Sequence, residues 1–445
     1  MPKAGCACEA GSSLPKAASQ GQSLSDRRSI QAAWIVVGIY LLGFAISAVI
    51  RWQNDFYIYR DAGLRAVLDQ RIYDLDALNP FQYAPIYAVF FIPFGWLPVH
   101  WAQALWFLIS MGAALPALIL GSGRLLFGAA SKLRTDLIVV PLFLCTRFIL
   151  QSFDKGQSDL LVLAMATWGL VFANESKALP GGALLAASIL IKPLAFAPLV
   201  YLFFRRRWSS IGSFICFTLL LLVLPAVIFG AARTLSETRD YLVSLSGRMN
   251  TLRLLHDIST PNDQSATALA VRIFSRREGG LGFFDTGTAA SLGSAFQFTL
   301  MLLVIWWAAT LERTERRDDN PLGIAVVFAT IPGLLPTAWM GYYAALMVPY
   351  MALVGLDLSR PNLRPACSQM ALIAVAASFV LSVSSRFART VLFYGAPYFG
   401  SLVILSAIIW IVTQTQKADC ALNNKEPQIS NRPAGEHFQH FSGDS

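Results

Sequence analysis

The run "RWQNDFYIYRDAGLRAVLDQRIYDL" (51–75) follows an apolar stretch directly and carries a carboxylate, Asp55, as its fifth residue. A carboxylate at the boundary between lipid and water can act as general base toward a hydroxyl if a neighbouring apolar wall raises its pKa toward working pH. The plainer reading is a solvated loop aspartate. Beyond it, from Asp61 onward, Leu64, Val67, Leu68, Ile72 and Leu75 recur at helical spacing. They predict an amphipathic helix on the membrane surface, with Asp61 as its N-terminal cap and Tyr57, Tyr59 and Tyr73 at the interface.

A second group with chemical potential is Lys192, in "SILIKPLAF". An ammonium in an apolar run costs on the order of 3 kcal/mol on insertion scales, so it needs a partner or a way out. Pro193 breaks the helix behind it, which would let the lysine snorkel. The functional alternative is a phosphate or a carboxylate from another helix as its partner. Other cations suited to an anionic substrate group are Arg60, Arg248, Arg253 and His256, each equally readable as a loop charge or a headgroup contact. His100, His437 and His440 do not look like ligands, and no constellation of metal-ligand spacing appears. Neither a metal nor a cofactor is expected.

The elements that must position these residues are membrane spans. The chain of 445 residues is 55% hydrophobic and 14% charged, against roughly a quarter charged in soluble domains. The expected fold is therefore an all-α, polytopic helical membrane protein. Apolar segments place about twelve spans near 31–50, 84–98, 99–121, 136–150, 159–173, 181–204, 210–230, 290–310, 321–338, 341–357, 369–385 and 391–413. A net charge of +9 fits cytoplasmic loops and lipid headgroups rather than nucleic acid. Lys3, Lys16, Arg27 and Arg28 put the N-terminus in the cytoplasm, and strict alternation puts Arg205–Arg207 and the C-terminal tail there too. Long external loops then follow the first and seventh spans, at 51–83 and 231–289. Arg124, Lys132, Arg134, Arg386 and Arg389 fall on the wrong side. Asp154, Gln157 and Asp159 fall inside, unless short neighbouring segments are re-entrant. A membrane domain over 30–414 is flanked by polar tails at 1–29 and 415–445, expected to be disordered and cytoplasmic in a cell (inner) membrane. The lack of equal halves or a period argues against a repeat-built transporter.

Five segments in order resemble glycosyltransferase family 87, integral-membrane enzymes of the GT-C fold that depend on polyprenyl-phosphate mannose or its relatives. "DFYIYRDAGLRAVLDQRIYDL" resembles that family's first external loop, and "FQYAPIYAVFFIPFGWLP" (81–98) its tyrosine–proline second span. "KGQSDLLVLAMATWGL" (155–170) resembles its Gly-Gln helix start, and "GGALLAASILIKPLAFAPLVYLFFRRRW" (181–208) its Lys-Pro helix. "NDQSATALAVRIF" (262–274) resembles its Asn-Gln-Ser segment, bringing Gln157, Asn262 and Gln264 into the candidate substrate site. One departure is "LLPTAWMGYYAAL" (334–346), where Pro336 and Trp339 fit but Tyr342 and Tyr343 stand near a usual His-His pair. The resemblance implies hexosyl transfer, most simply of mannose, from a polyprenyl-phosphate sugar to a lipid- or glycan-linked hydroxyl on the outer face. It also implies inversion, with Asp55 as the base. A transporter or a lipid-linked polymer ligase is the alternative class.

Overall fold

The computed structural model describes residues 23–51, 53–74, 80–129, 133–248, 261–276, 280–314, 321–335, 337–359 and 365–423. Arg253 and His256 lie outside these residues, and the side chain of Arg248 is likewise not described. The described elements are helices throughout. Apolar segments satisfy their own backbone only in this way where no water is present.

Seven of the helices among the described residues are long and apolar enough to cross a membrane. They are Arg28–Ala45, within α1 (Ser23–Ile50), α4 (Val99–Phe127), α5 (Thr135–Lys155), α9 (Trp208–Phe229), Thr286–Thr310, within α12 (Thr286–Thr314), α15 (Pro365–Phe387), and Ala396–Gln416, within α16 (Ala396–Asn423). Shorter apolar helices fill the bundle between them: α6 (Asp159–Asn174), α7 (Ala178–Ile191), α8 (Phe196–Phe204), α13 (Pro321–Leu334) and α14 (Met340–Val354). The chain is thus a multi-pass helical membrane protein. Its core runs through α13 and α14, whose described side chains are nearly all enclosed.

Ion pairs and hydrogen bonds define two ends of the bundle. At one end Arg124 meets Glu175 at 2.6 Å, Lys177 meets Glu175 at 2.9 Å, Arg134 meets Asp357 at 2.5 Å, and the Ser213 hydroxyl donates to the Leu179 carbonyl at 3.2 Å. At the other end α2 (Asn54–Val67) lies on α3 (Pro85–Trp96), with Gly63 against the Phe91 backbone. Both ends of α3 stay there. The Ala84 N–H donates to the Leu190 carbonyl at 3.2 Å, and just past its exit Gln103 donates to the Arg51 carbonyl at 3.1 Å.

Two expectations about spans are therefore corrected. The segment 84–98 forms a 12-residue helix that returns to the end it started from; that is about 18 Å at 1.5 Å per residue, too short to cross ~30 Å of hydrocarbon. The segment 181–204 is broken at Lys192, whose extended backbone (φ −146°, ψ 141°) is what a following proline imposes, and its two halves run in opposite directions. Placing 84–98 wholly at one end reverses the sense of every pass from there to the break at Lys192.

The surface helix also begins earlier than its apolar spacing suggests, at Asn54 rather than Asp61. Asp61 sits within it and pairs with Arg65 four residues on at 2.7 Å. The helix ends at Val67, and Asp69 adopts a left-handed conformation (φ 58°), so Ile72 and Tyr73 belong to the following loop. Tyr59 and Tyr73 are buried rather than interfacial.

Candidate active site

Asp55 occupies the first turn of α2, where Gln53 is the N-cap and its carbonyl accepts from the Tyr57 N–H at 3.1 Å. The unpaired N–H groups of a helix start favour an ionised carboxylate. Against this stands an aromatic wall of Phe56, Tyr59, Tyr87, Phe91 and Trp106, joined edge-on or tilted at centroid distances of 4.9 to 6.5 Å. Burial beside this wall pushes the Asp55 carboxyl above the usual carboxylate range. The Lys192 charge and a hydrogen bond from Gln157 oppose that rise, while the Asp159 charge adds to it. Asp55 keeps partial exposure, so a hydroxyl can reach it.

Gln157 donates to Asp55 through Nε2 at 2.8 Å. It is delivered by the turn between α5 and α6. Gly156 there takes a left-handed conformation (φ 67°), and a Cβ on it would press at about 3 Å on Gln53 and Phe56. The Gly156 carbonyl accepts from the Trp106 indole at 2.8 Å, and Gln53 donates to the Phe153 carbonyl at 3.3 Å. The Oε1 atom of Gln157 and the Ser158 hydroxyl are enclosed without a hydrogen-bond partner among the described residues. Gln157 thus lies at the same end of the bundle as Asp55, which corrects its cytoplasmic placement by alternation.

Lys192 reaches the same place from the break between α7 and α8. Its Nζ donates to Asp159 Oδ1 at 2.5 Å, with both side chains buried (6% and 0% exposed). Ser152 donates to the other oxygen of Asp159 at 2.8 Å. The Nζ also lies 5.2 Å from the centre of the Tyr342 ring, within cation–π range. Gly341, at the start of α14, stands against the Asp159 carboxylate and the Ser152 hydroxyl and leaves no room for a Cβ. A snorkelling Lys192 is therefore excluded; the lysine is an interior cation with an interior counter-ion.

The candidate residues divide accordingly. Asp55, Gln157, Lys192 and Tyr342 come together, along with Asp159, Ser152 and Gly341. Arg60 does not join them, because its guanidinium donates to the carbonyls of Phe94, Gly95 and Leu97 at 3.1 to 3.2 Å, closing the end of α3. Gln264 donates to the Pro261 and Leu392 carbonyls at 2.5 and 2.9 Å, and its own carbonyl accepts from the Tyr343 hydroxyl at 2.6 Å. Both residues dock α11 (Ala266–Phe274), capped by Ser265. Asn262 is exposed beside them.

Sequence reasoning missed Ser152, Gly341 and Asp263. Asp263 accepts from the N–H groups of Ser265 and Ala338, both at 2.9 Å, and so ties the α11 loop to the entry of α14. The Asp-x-Ser spacing ahead of a helix was the signal for it. For Gly341 there was none, since it matters only through a helix distant in sequence, and Ser152 reaches Asp159 across the turn between α5 and α6, which no periodicity marks. Among the described residues no group of His, Cys, Asp and Glu is placed to hold a metal ion.

The class defined so far is a polytopic helical membrane protein with a half-buried carboxylate beside an enclosed lysine at one end of its bundle. The sequence model of Glycosyltransferase family 87 matches residues 81–335, more than half of the chain, and the chain belongs to that family. Gln157, Lys192, Asn262 and Gln264 lie inside the matched region; Asp55, Tyr342 and Tyr343 lie outside it. No curated protein and no solved structure matches.

Proposed function

We propose that this membrane glycosyltransferase moves a hexose, most simply mannose, from a polyprenyl-phosphate sugar to a lipid- or glycan-linked hydroxyl at the Asp55 end of the bundle. The observation that carries the proposal is the half-buried Asp55 carboxylate, backed by an aromatic wall, held by Gln157 and sharing its enclosure with Lys192. A polyprenyl-phosphate sugar already has a phosphate leaving group, so no acid is needed on that side. The acceptor hydroxyl does need a base, and a carboxylate with a raised pKa at the membrane surface supplies one. Asp55 takes the hydroxyl proton as the acceptor oxygen attacks the anomeric carbon. The bond to the phosphate oxygen breaks in the same displacement, which inverts the centre without the second carboxylate used by retaining glycosidases.

Lys192, held in place by Asp159, provides positive charge for the departing phosphate. Tyr342, beneath its Nζ, completes the wall where a histidine is usual in the family the sequence resembles. The gathering of arginine and lysine at one end supports a reading with both termini in the cytoplasm of a cell (inner) membrane and the site on its outer face.

Purified protein in liposomes is given a panel of radiolabelled polyprenyl-phosphate sugars together with extracted lipid acceptors. A new labelled glycoside is expected from one donor, and Asp55→Asn should reduce its formation by about 10²–10⁴, the range for losing a general base. Product formation at near-normal rate by the variant would remove Asp55 from this role. Lack of product from every donor would remove the donor class.

A further inference from the structure

We propose that Arg147 and Arg386 form a binding site for the phosphate of an anionic glycerophospholipid, on the lipid-facing flank of α5 and α15 and separate from the Asp55 enclosure.

Arg147 lies within the apolar part of α5, eight residues before its end at Lys155, or ~12 Å at 1.5 Å per residue. It thus lies about two turns in from the end of α5, on the side of the bundle where α15 ends at Phe387. Its Nε and Nη1 atoms are enclosed and have no hydrogen-bond acceptor among the described residues. The charged group that acts on it is Arg386, of the same sign, at the end of α15. Two arginines within electrostatic reach of each other repel unless an anion lies between them, and a half-buried guanidinium with enclosed, unaccepted N–H groups is costly.

Neither helix supplies the missing charge. The stretch 137–153 contains no acidic residue, and neither does 365–416. The carboxylates at the ends of α5 are engaged elsewhere, Asp136 with Arg134 at 2.7 Å and Asp154 with Arg51 at 3.2 Å. Tyr350 and Ser378, which link α14 to α15, are joined to each other at 2.8 Å and carry no charge.

The surroundings select a lipid rather than a free anion. Phe143, one turn before Arg147, is 61% exposed and its ring lies tilted against Phe379 at 5.2 Å between centroids, while Val380 and Phe387 of α15 are also exposed. This surface suits acyl chains, and a bidentate guanidinium suits a phosphate diester. The site also accounts for Arg386 lying at the end of the bundle where positive charge is not expected: it stands where an anionic headgroup would sit. The charges acting most strongly on Asp55 come from Lys192, Asp159 and Lys155, so this flank is not an extension of the candidate active site.

The test uses the full chain purified in neutral detergent and titrated with phosphatidylglycerol, phosphatidylcholine or inorganic phosphate, read by native mass spectrometry and by thermal unfolding. Phosphatidylglycerol is expected to stay bound and to raise Tm more than phosphatidylcholine does. Arg147→Gln and Arg386→Gln should each weaken phosphatidylglycerol binding roughly tenfold, the loss of one charge-assisted contact. In the absence of lipid, Arg147→Gln should melt no lower than the parent, since it removes an unpartnered charge. Equal response to the two phospholipids, or parent-like phosphatidylglycerol affinity in both variants, overturns the proposal. Inorganic phosphate protecting as well as phosphatidylglycerol assigns the site to a free anion and overturns its lipid part. If Arg147→Gln fails to fold, the exposed Arg386→Gln decides alone.

Discussion

At the scale of single residues, the candidate site is a balance of charges around Asp55. The pH dependence of kcat/KM reports this balance. A general base works ionised, so activity falls as pH drops through its pKa, and the raised pKa of Asp55 places that acid limb above the usual carboxylate range. Gln157 donates to the ionised form, so Gln157→Leu should move the limb to still higher pH, and Lys192→Met should move it the same way. A limb that stays put in both variants would mean that another group titrates there. Stability has the opposite sense: ionising Asp55 in its enclosure costs free energy, so its contribution declines as pH rises from the usual carboxylate range through the raised one. Lys192 raises a different question, because its partner is already present in Asp159. Lys192→Met strands a buried carboxylate and should cost about 3–5 kcal/mol, read as a lowered melting temperature. The double variant Lys192→Met/Asp159→Leu should recover much of this loss while its turnover stays as low as that of Lys192→Met. Recovered turnover in that double variant would reduce the pair to a purely structural role.

At the scale of elements, the site depends on three interruptions of helix: the left-handed Gly156 between α5 and α6, the extended Lys192 before Pro193, and the entry of α14 at Gly341. Two of these were legible. A Lys-Pro step in an apolar run announces a break, and the Gly-Gln step precedes a helix start. The third was not, because Gly341 matters through its approach to Asp159, 182 positions earlier in the chain, and periodicity carries no such distance. Gly341→Ala should therefore act as an overpacking change at the centre of the site. A Cβ there meets the Asp159 carboxylate and the Ser152 hydroxyl, so a cost of about 1–3 kcal/mol is expected, together with a turnover loss well beyond that of Gly38→Ala, where a Cβ meets open space. Equal behaviour of the two variants in melting and in transfer would show that the packing seen at Gly341 is not maintained. The surface helix shows the converse limit. Its apolar spacing from Leu64 to Leu75 was regular, yet the chain leaves the helix after Val67, where Arg233 of α10 (Ala231–Arg248) takes the Gln70 carbonyl and the Asp69 carboxylate at 2.6 and 2.7 Å. Tertiary hydrogen bonds outweighed local periodicity.

At the scale of the whole molecule, the all-helical, polytopic class was legible from hydropathy and charge alone, while the direction of individual passes was not. Hydropathy measures how apolar a segment is, so 84–98 reads as a span although it stays at one end, and 181–204 reads as one continuous pass although it is broken at Lys192. The corrected directions resolve a conflict in the charge pattern. Arg124 and Arg134 move to the end of the bundle that also carries Lys177, reached through Glu175, and Arg205–Arg207, which precede the start of α9. Positive charge then gathers at one end, as expected for a cytoplasmic face. Asp55, Gln157 and the exposed face of α10 fall at the opposite end, which should face outward. Cysteines introduced one at a time test this directly, in a background lacking the native cysteines, because Cys216 is exposed. Ser236 is exposed on α10 and Ser209 is exposed at the start of α9. In intact cells a membrane-impermeant thiol reagent should label the cysteine at 236 and spare the one at 209. Permeabilising the cells should then expose 209. A third cysteine at Gln151, on α5 near the site end, separates the two topologies, because alternation over 84–98 as a span would have put that stretch inside. Labelling of 209 from outside would invert the whole arrangement. Protection of 151 with labelling of 236 would restore 84–98 as a crossing helix and separate Gln157 from Asp55.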